Sequence, residues 1–212
     1  MTGKKATFGT SRRDLYCFAD SAALCRRLLE GGARIIQLRE KHLDDSGFRR
    51  LGAEMQALVR EVPDAVLIVN DRVAIALEIG ADGIHIGQED EDCREVIRRV
   101  PPQMIVGVSV DTAAEAVAAQ AAGATYVGAG SVFPTPTKPD AQIIGIEALR
   151  RIVQSVHIPV VAIGGIALQN AAEVVAAGAR YLAVISQIND AADIPARIRE
   201  FRAAIADPSA AA

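Results

Sequence analysis

The sequence predicts a single-domain (β/α)8 TIM barrel, an α/β fold of eight parallel strands with helices between them. Three observations lead there. Eight short apolar runs recur along the 212 residues: Asp14–Ala19, Arg34–Leu38, Val66–Asn70, Gly83–Gly87, Met104–Ser109, Tyr126–Gly130, Pro159–Gly164 and Tyr181–Ser186. Most lack hydrophobic/polar alternation, as parallel strands covered on both faces should. Between them lie Ala- and Glu-rich stretches of helical periodicity, such as Thr112–Ala122 and Asn170–Ala177. Finally, one small-residue signal returns before four strands: Glu30-Gly31-Gly32-Ala33, Ile79-Gly80-Ala81-Asp82, Ala122-Gly123-Ala124-Thr125 and Ala177-Gly178-Ala179-Arg180. Glycine there is the usual left-handed helix stop, so a βα unit is being reused. Eight such units close into a barrel with right-handed crossovers; an open doubly wound sheet would have fewer strands. The barrel is expected over residues 13–206, with tails at 1–12 and 207–212 and no linker that would divide the chain.

Composition narrows the function classes. Half the chain is apolar, only 4% is aromatic and Trp is absent, which disfavours base-stacking platforms for single-stranded nucleic acid. A net charge of −3 provides no basic field for DNA or RNA. Lys4, Lys5, Arg12 and Arg13 are basic, but no apolar signal-peptide core follows them. No run approaches the roughly 18 apolar residues of a membrane span. Cys17, Cys25 and Cys93 are odd in number and lack CxxC spacing, so they read as reduced thiols of a cytoplasmic protein.

In such a barrel the chemistry collects where strands hand over to the following loops. The second run ends Gln37-Leu38-Arg39-Glu40-Lys41, and a strand period of 2 puts Gln37, Arg39 and Lys41 on one face. Facing inward, two cations and an amide suit an anion with several phosphate oxygens; a surface ion cluster is the alternative. The third run ends Asn70-Asp71 and the fourth runs into Gly87-Gln88-Glu89-Asp90. Neighbouring strands lie about 4.8 Å apart, so Asp71 and Asp90 can reach one cation. Oxygen-only ligands favour Mg²⁺ over zinc. The alternative is that Asp71 caps a helix over Arg72–Ile79 and Asp90 caps the next one.

The fifth run ends in Ser109, a donor for a phosphate or ring heteroatom, or the start of a turn. The sixth leads into Phe133-Pro134-Thr135-Pro136-Thr137-Lys138-Pro139, where three prolines stiffen a loop holding two hydroxyls and an ammonium. The seventh ends Ile163-Gly164-Gly165-Ile166 and the eighth Val184-Ile185-Ser186, the loops that form a common barrel phosphate site. His85, between Ile84 and Ile86, reads as a core histidine pointing into the barrel, and His42 and His157 read as loop residues.

From Gln37 to Ser186 these pieces, in this order, resemble the thiamine-phosphate synthase family. The Pro134–Lys138 run and the Gly87–Asp90 run carry the resemblance most specifically; the Gly164-Gly165-Ile166 turn is shared with other phosphate-binding barrels. The resemblance implies a transferase that couples 4-amino-2-methyl-5-(diphosphooxymethyl)pyrimidine to a thiazole phosphate, giving thiamine monophosphate and pyrophosphate. It implies that Gln37, Leu38, Arg39, Glu40, Lys41, Asn70, Ser109 and Lys138 hold the pyrimidine diphosphate, with Arg39, Lys41, Ser109 and Lys138 acting in catalysis. It further implies Mg²⁺ on Asp71 and Asp90, and the thiazole phosphate on Thr135, Pro136, Thr137, Gly165, Ile185 and Ser186. The partners it implies are phosphorylated small molecules, with no nucleic acid or membrane and with a homodimer left open.

Some positions depart from the family pattern. Val110-Asp111 follows Ser109 where many members have a histidine two residues on, Ala19-Asp20 ends the first run in place of Thr-Asp, and Ser131 replaces a common proline. The rival readings are a thiazole tautomerase-like isomerase, which would want that histidine, and a precursor-binding barrel without turnover. A sugar-phosphate isomerase would share only the Gly164-Gly165 site. The loops His42–Gly47 and Pro134–Gly145 are the expected lids.

Overall fold

The computed structural model describes Phe8, residues 13–88 and residues 90–206. Eight parallel strands close in sequence order: β1 (Asp14–Ala19), β2 (Ile35–Leu38), β3 (Val66–Asn70), β4 (Gly83–Ile86), β5 (Ile105–Val110), β6 (Tyr126–Ala129), β7 (Val160–Ile163) and β8 (Tyr181–Val184). The helices are α1 (Ala22–Glu30), α2 (Asp45–Arg60), α3 (Val73–Glu78), α4 (Cys93–Arg99), α5 (Ala113–Ala122), α6 (Gly145–Ser155) and α7 (Leu168–Ala176). After β8 come one short turn of helix, α8 (Ser186–Asn189), and α9 (Ile194–Ala206). Every expected strand is present within two residues at each end. The expected tails lie outside the described residues, apart from Phe8.

Local signals explain the boundaries. Thr112 and Glu115 form a reciprocal capping box that starts α5, and Gly123 ends it with φ +103°, a conformation costly for a residue with a Cβ. Gly32, Gly80 and Gly178 end their helices the same way. The helix expected from Arg72 starts at Val73, because Arg72 has φ −83° and ψ 75°, outside the helical region.

Alternation along each strand sorts side chains into two cores. Outward residues such as Leu15, Ile36, Leu67 and Val127 pack against the helices. Inward residues Tyr16, Phe18, Ile35, Val66, Ile68, Ile105, Tyr126, Val161 and Tyr181 fill the barrel, so it is packed and not a pore. Phe8 joins this inner core, its ring 5.1 Å from those of both Tyr126 and Tyr181. Near the start of β1, Arg202 of α9 grips both oxygens of Asp14 at 2.9 Å and the Gly32 carbonyl at 2.8 Å. This fork ties the last helix to the first strand.

Ascending the inner face, apolar residues give way to polar ones: Ile35 to Gln37 on β2, Ile68 to Asn70 on β3, Gly83 to His85 on β4, and Ile105 through Gly107 to Ser109 on β5. The register places Asn70 beside His85, His85 beside Gly107 and Gly107 beside Tyr126. A stable base therefore carries a polar floor. The cysteines take no part in it: burial pushes the Cys17 and Cys25 thiols up to about 12 and that of Cys93 to about 11.

Candidate active site

A cavity of about 690 Å³ opens at the C-terminal ends of the strands. On the β2–β4 side it is lined by Gln37, Arg39, Lys41, Asn70, Asp71 and Asp90; Ser109 and Thr135–Lys138 continue the wall. Gly165, Ile185 and Ser186 complete it. Of the residues expected at the site, only Leu38 and Glu40 stand apart. Leu38 is fully buried in the outer core, where a Cβ on Gly52 would sit 3.4 Å from its Cδ2. Glu40 accepts from the backbone N–H of His42 at 2.8 Å and of Leu43, shaping the turn that follows Lys41. Both occupy the opposite strand parity to Gln37, Arg39 and Lys41, so their side chains serve the scaffold instead of the cavity.

The carboxylates are held by the loops, and neither caps a helix. Asp71 sits in the left-handed region, φ +62°, which a short polar side chain tolerates. No side chain caps α3, and the cap of α4 is Asp92, which accepts from the N–H groups of Arg94 and Glu95. Asp90 instead accepts from the Gly87 N–H at 2.6 Å, closing its own loop. The capping alternative therefore fails for both residues. Burial and the neighbouring charge of Asp90 push the Asp71 carboxyl up to about 6, partly offset by Arg39 and Lys41. Two crowded carboxylates with cations close by are the donor set of a magnesium ion that keeps waters and shares substrate phosphate, so the residues present fit that metal.

The loop bearing Arg39 and Lys41 is coupled to the one bearing Asp71 through Arg72. Its guanidinium donates to Asp45 Oδ1 at 2.8 Å and to the Leu43 carbonyl at 2.7 Å, and lies 4.3 Å from the centre of the Phe48 ring. Across the mouth, the β6–α6 loop packs directly on the glycines after β7. A Cβ on Gly164 would fall 1.9 Å from Ser131 Oγ, and one on Gly165 2.4 Å from the Pro134 carbonyl oxygen. Those glycines let the β6–α6 loop seat directly against the turn after β7.

Several residues not assigned to the site from the sequence also line the cavity. His85 is partly buried and lines the cavity, with Nδ1 2.9 Å from Tyr126 Oη and Nε2 2.9 Å from Ser109 Oγ. Burial pushes its pKa down to about 4, so it is neutral. Tyr16 and Tyr126 also line the cavity, their hydroxyls 2.7 Å apart, and Gln37 Nε2 donates to Tyr16 Oη at 2.9 Å. Parity along β1 and β6 was the available signal, since Tyr16 lies two residues before Phe18 and Tyr126 two before Gly128. Asp111 faces the cavity as well; burial and Glu115 raise its pKa while Lys138 lowers it.

The thiamine monophosphate synthase family model matches residues 10–188. This chain belongs to that family. It is 48% identical over 177 residues to a thiamine-phosphate synthase of Pyrococcus furiosus, covering 84% of each chain. It is 43% identical over 200 residues to that of Methanoregula boonei, covering 90% of this chain and 92% of the relative. Among solved structures, a thiamine phosphate pyrophosphorylase from Pyrococcus furiosus superposes with a TM-score of 0.84 at 41% identity, over 92% of this chain and 96% of that one. A 3-hexulose-6-phosphate synthase, at TM-score 0.70 and 21% identity, shares the fold alone.

Proposed function

We propose that this thiamine-phosphate synthase family member joins 4-amino-2-methyl-5-(diphosphooxymethyl)pyrimidine to 4-methyl-5-(2-phosphooxyethyl)thiazole, releasing pyrophosphate. The observation that carries this reading is one cavity holding cations after β2 and on the β6–α6 loop, two carboxylates after β3 and β4, the Gly164-Gly165 turn after β7 and Ile185-Ser186 after β8. Two phosphorylated substrates need two anion subsites, and the cationic group of Arg39, Lys41 and Lys138 and the turns after β7 and β8 would supply them.

The bond that breaks joins the pyrimidine methylene carbon to the diphosphate oxygen. Arg39, Lys41 and Lys138 face the departing group and stabilise the charge it gains, which is electrostatic catalysis. Asp71 and Asp90 would hold magnesium, which when bound supplies further positive charge to the diphosphate. Gln37, Asn70 and Ser109 orient the ring. Thr135, Thr137, Gly165, Ile185 and Ser186 hold the thiazole phosphate so that its ring nitrogen faces the methylene carbon. The thiazole is itself the nucleophile, so no side chain need attack. Asp111 stands where the isomerase reading wants a histidine, which supports transfer over tautomerisation. No helix among the described residues is long and apolar enough to cross a membrane, and the three free cysteines support a cytoplasmic setting.

The test is incubation of the protein with both substrates and Mg²⁺, with thiamine monophosphate scored by fluorescence after oxidation. Product formation that Lys138→Ala reduces at least about a hundredfold is expected from loss of one charge-stabilising group. A folded protein that binds the pyrimidine diphosphate without turning it over would refute the enzyme reading.

A further inference from the structure

Five side chains from five strands make one unbroken hydrogen-bonded line through the barrel. Gln37 Nε2 meets Tyr16 Oη, Tyr16 Oη meets Tyr126 Oη, Tyr126 Oη meets His85 Nδ1, and His85 Nε2 meets Ser109 Oγ. The links measure 2.9, 2.7, 2.9 and 2.9 Å. Tyr16 and Tyr126 are fully buried, so neither hydroxyl has bulk water to fall back on. Space for the line is built into the backbone. A Cβ on Gly107 would overlap the Tyr126 ring, at 2.0 Å from Cζ, and one on Gly128 would press on His85 Cε1 at 3.0 Å.

Counting protons gives the line a direction. Each tyrosine has one O–H and a neutral imidazole one N–H, so every member of an unbroken line donates the same way. With the Gln37 amide nitrogen donating to Tyr16, Tyr16 donates to Tyr126 and Tyr126 to His85 Nδ1. That nitrogen is then bare, the ring proton sits on Nε2, and Ser109 Oγ accepts it. The Ser109 proton is left to donate into the cavity, and the Gln37 carbonyl oxygen is left to accept. Turning the Gln37 amide over reverses both ends together. Any mixed order leaves a buried donor or acceptor unpaired, which costs about 1–3 kcal/mol.

We propose that this line is a specificity device that fixes the polarity of both ends of the ring pocket, an acceptor at Gln37 and a donor at Ser109. It selects a heteroaromatic ring that offers an amino N–H to Gln37 and a bare ring nitrogen to Ser109. Tyr16, Tyr126 and His85 are positioning residues, acting through the two ends. The ring preference rests on the assignment of Gln37 and Ser109 to the pyrimidine subsite; the proton order rests on the line alone.

The order is read directly by nitrogen-15 NMR of histidine-labelled protein at about pH 8, above the ordinary imidazole range. The chain has three histidines, and His85→Asn assigns the signal. His85 is expected as the Nε2–H tautomer. Gln37→Glu puts an acceptor-only carboxylate at one end and is expected to convert His85 to the Nδ1–H tautomer; in a Tyr126→Phe background the same change is expected to leave the tautomer where Tyr126→Phe alone put it. In parallel, Ser109→Ala is expected to raise the KM for the pyrimidine diphosphate roughly tenfold in the wild-type background and under about twofold beside Gln37→Glu. A wild-type Nδ1–H tautomer or mixture, or a tautomer indifferent to Gln37→Glu, overturns the proposal. If Gln37→Glu does not fold, Tyr126→Phe decides, because a His85 that keeps a pure Nε2–H tautomer without the hydroxyl facing Nδ1 is not held there by the line. The NMR result needs no turnover. An inactive protein with a switchable tautomer would sink the assigned activity and leave the line standing, and an active one with an indifferent tautomer would do the reverse.

Discussion

Gly107→Ala adds a single carbon, and the structure predicts that it unseats the polar floor. The new Cβ would lie 2.0 Å from Tyr126 Cζ, 2.3 Å from its Oη and 2.4 Å from Cε1. The ring cannot step aside cheaply. Tyr126 is fully buried, with the Tyr16 ring 5.8 Å and the His85 ring 5.5 Å from it, centre to centre. Overpacking a core of this kind costs about 1–3 kcal/mol. Displacing the hydroxyl also breaks its bonds to Tyr16 and His85, each contributing about 1 kcal/mol. The sum is about 3–5 kcal/mol, a large share of the roughly 5–15 kcal/mol that separates a folded domain from its unfolded chain. At about 2–4 °C per kcal/mol for a chain of this length, the melting temperature should fall by roughly 6–20 °C. Calorimetry of Gly107→Ala, Tyr126→Leu and the double variant checks the cause as well as the size. The clash needs both side chains, so the double variant should lose less than the sum of the single ones. A melting temperature within about 2 °C of wild type, or strict additivity in the cycle, would show that the ring does not occupy the space above Gly107.

Four further outcomes follow from the geometry. Gly165→Ala forces a Cβ onto a residue with φ +63° and against the Pro134 carbonyl; it should displace the Thr135–Lys138 loop and raise the KM for the thiazole phosphate at least about tenfold, and unchanged kinetics would count against the seating of that loop. Arg72→Lys keeps the charge but loses the planar fork, so steady-state kinetics should show a higher KM for the pyrimidine diphosphate, by roughly threefold to tenfold, while the thiazole KM stays put. Without metal, the Asp71 carboxyl titrates near 6 instead of its ordinary 3.8, so the folded state holds that proton more tightly than the unfolded one. Its contribution is full below about pH 4 and is lost as pH rises through about 6; urea unfolding should show Asp71→Asn flattening that slope, and an unchanged slope would discard the assigned cause. Arg202→Lys should cost about 1 kcal/mol in the same assay, because an ammonium cannot reproduce the two-pronged grip on Asp14.

The barrel was legible because its parallel strands are covered on both faces and its helices end in repeated Gly-Ala signals. Parity along β2 placed Gln37, Arg39 and Lys41 together, and the cavity contains all three. The same parity excludes Leu38 and Glu40, which a contiguous motif had swept in with their neighbours. What stayed hidden was depth. Tyr16, Tyr126 and His85 sit in apolar runs indistinguishable from ordinary core, and only the register that stacks Asn70, His85, Gly107 and Tyr126 side by side brings their polar atoms together. Nor could composition tell a capping aspartate from a metal-binding one. The local chain geometry removes the capping role, since Asp92 starts α4 and leaves Asp90 to its own loop.

The departure at Ser131 shows how such a barrel absorbs a change in motif. A proline there would stiffen the entry to the β6–α6 loop through its fixed φ. Serine achieves an equivalent restraint by other means: its buried hydroxyl donates to the Phe133 carbonyl at 2.8 Å, and its own carbonyl accepts from Ile144 N at 2.8 Å. That pins the loop at both its entry and its return, with the Thr135–Lys138 segment in between. The arrangement depends on Gly164, because any Cβ there would strike the Ser131 hydroxyl. Ser131 and Gly164 therefore act as one unit across β6 and β7, and the rigidity of the loop over the mouth resides in that pair as much as in its three prolines.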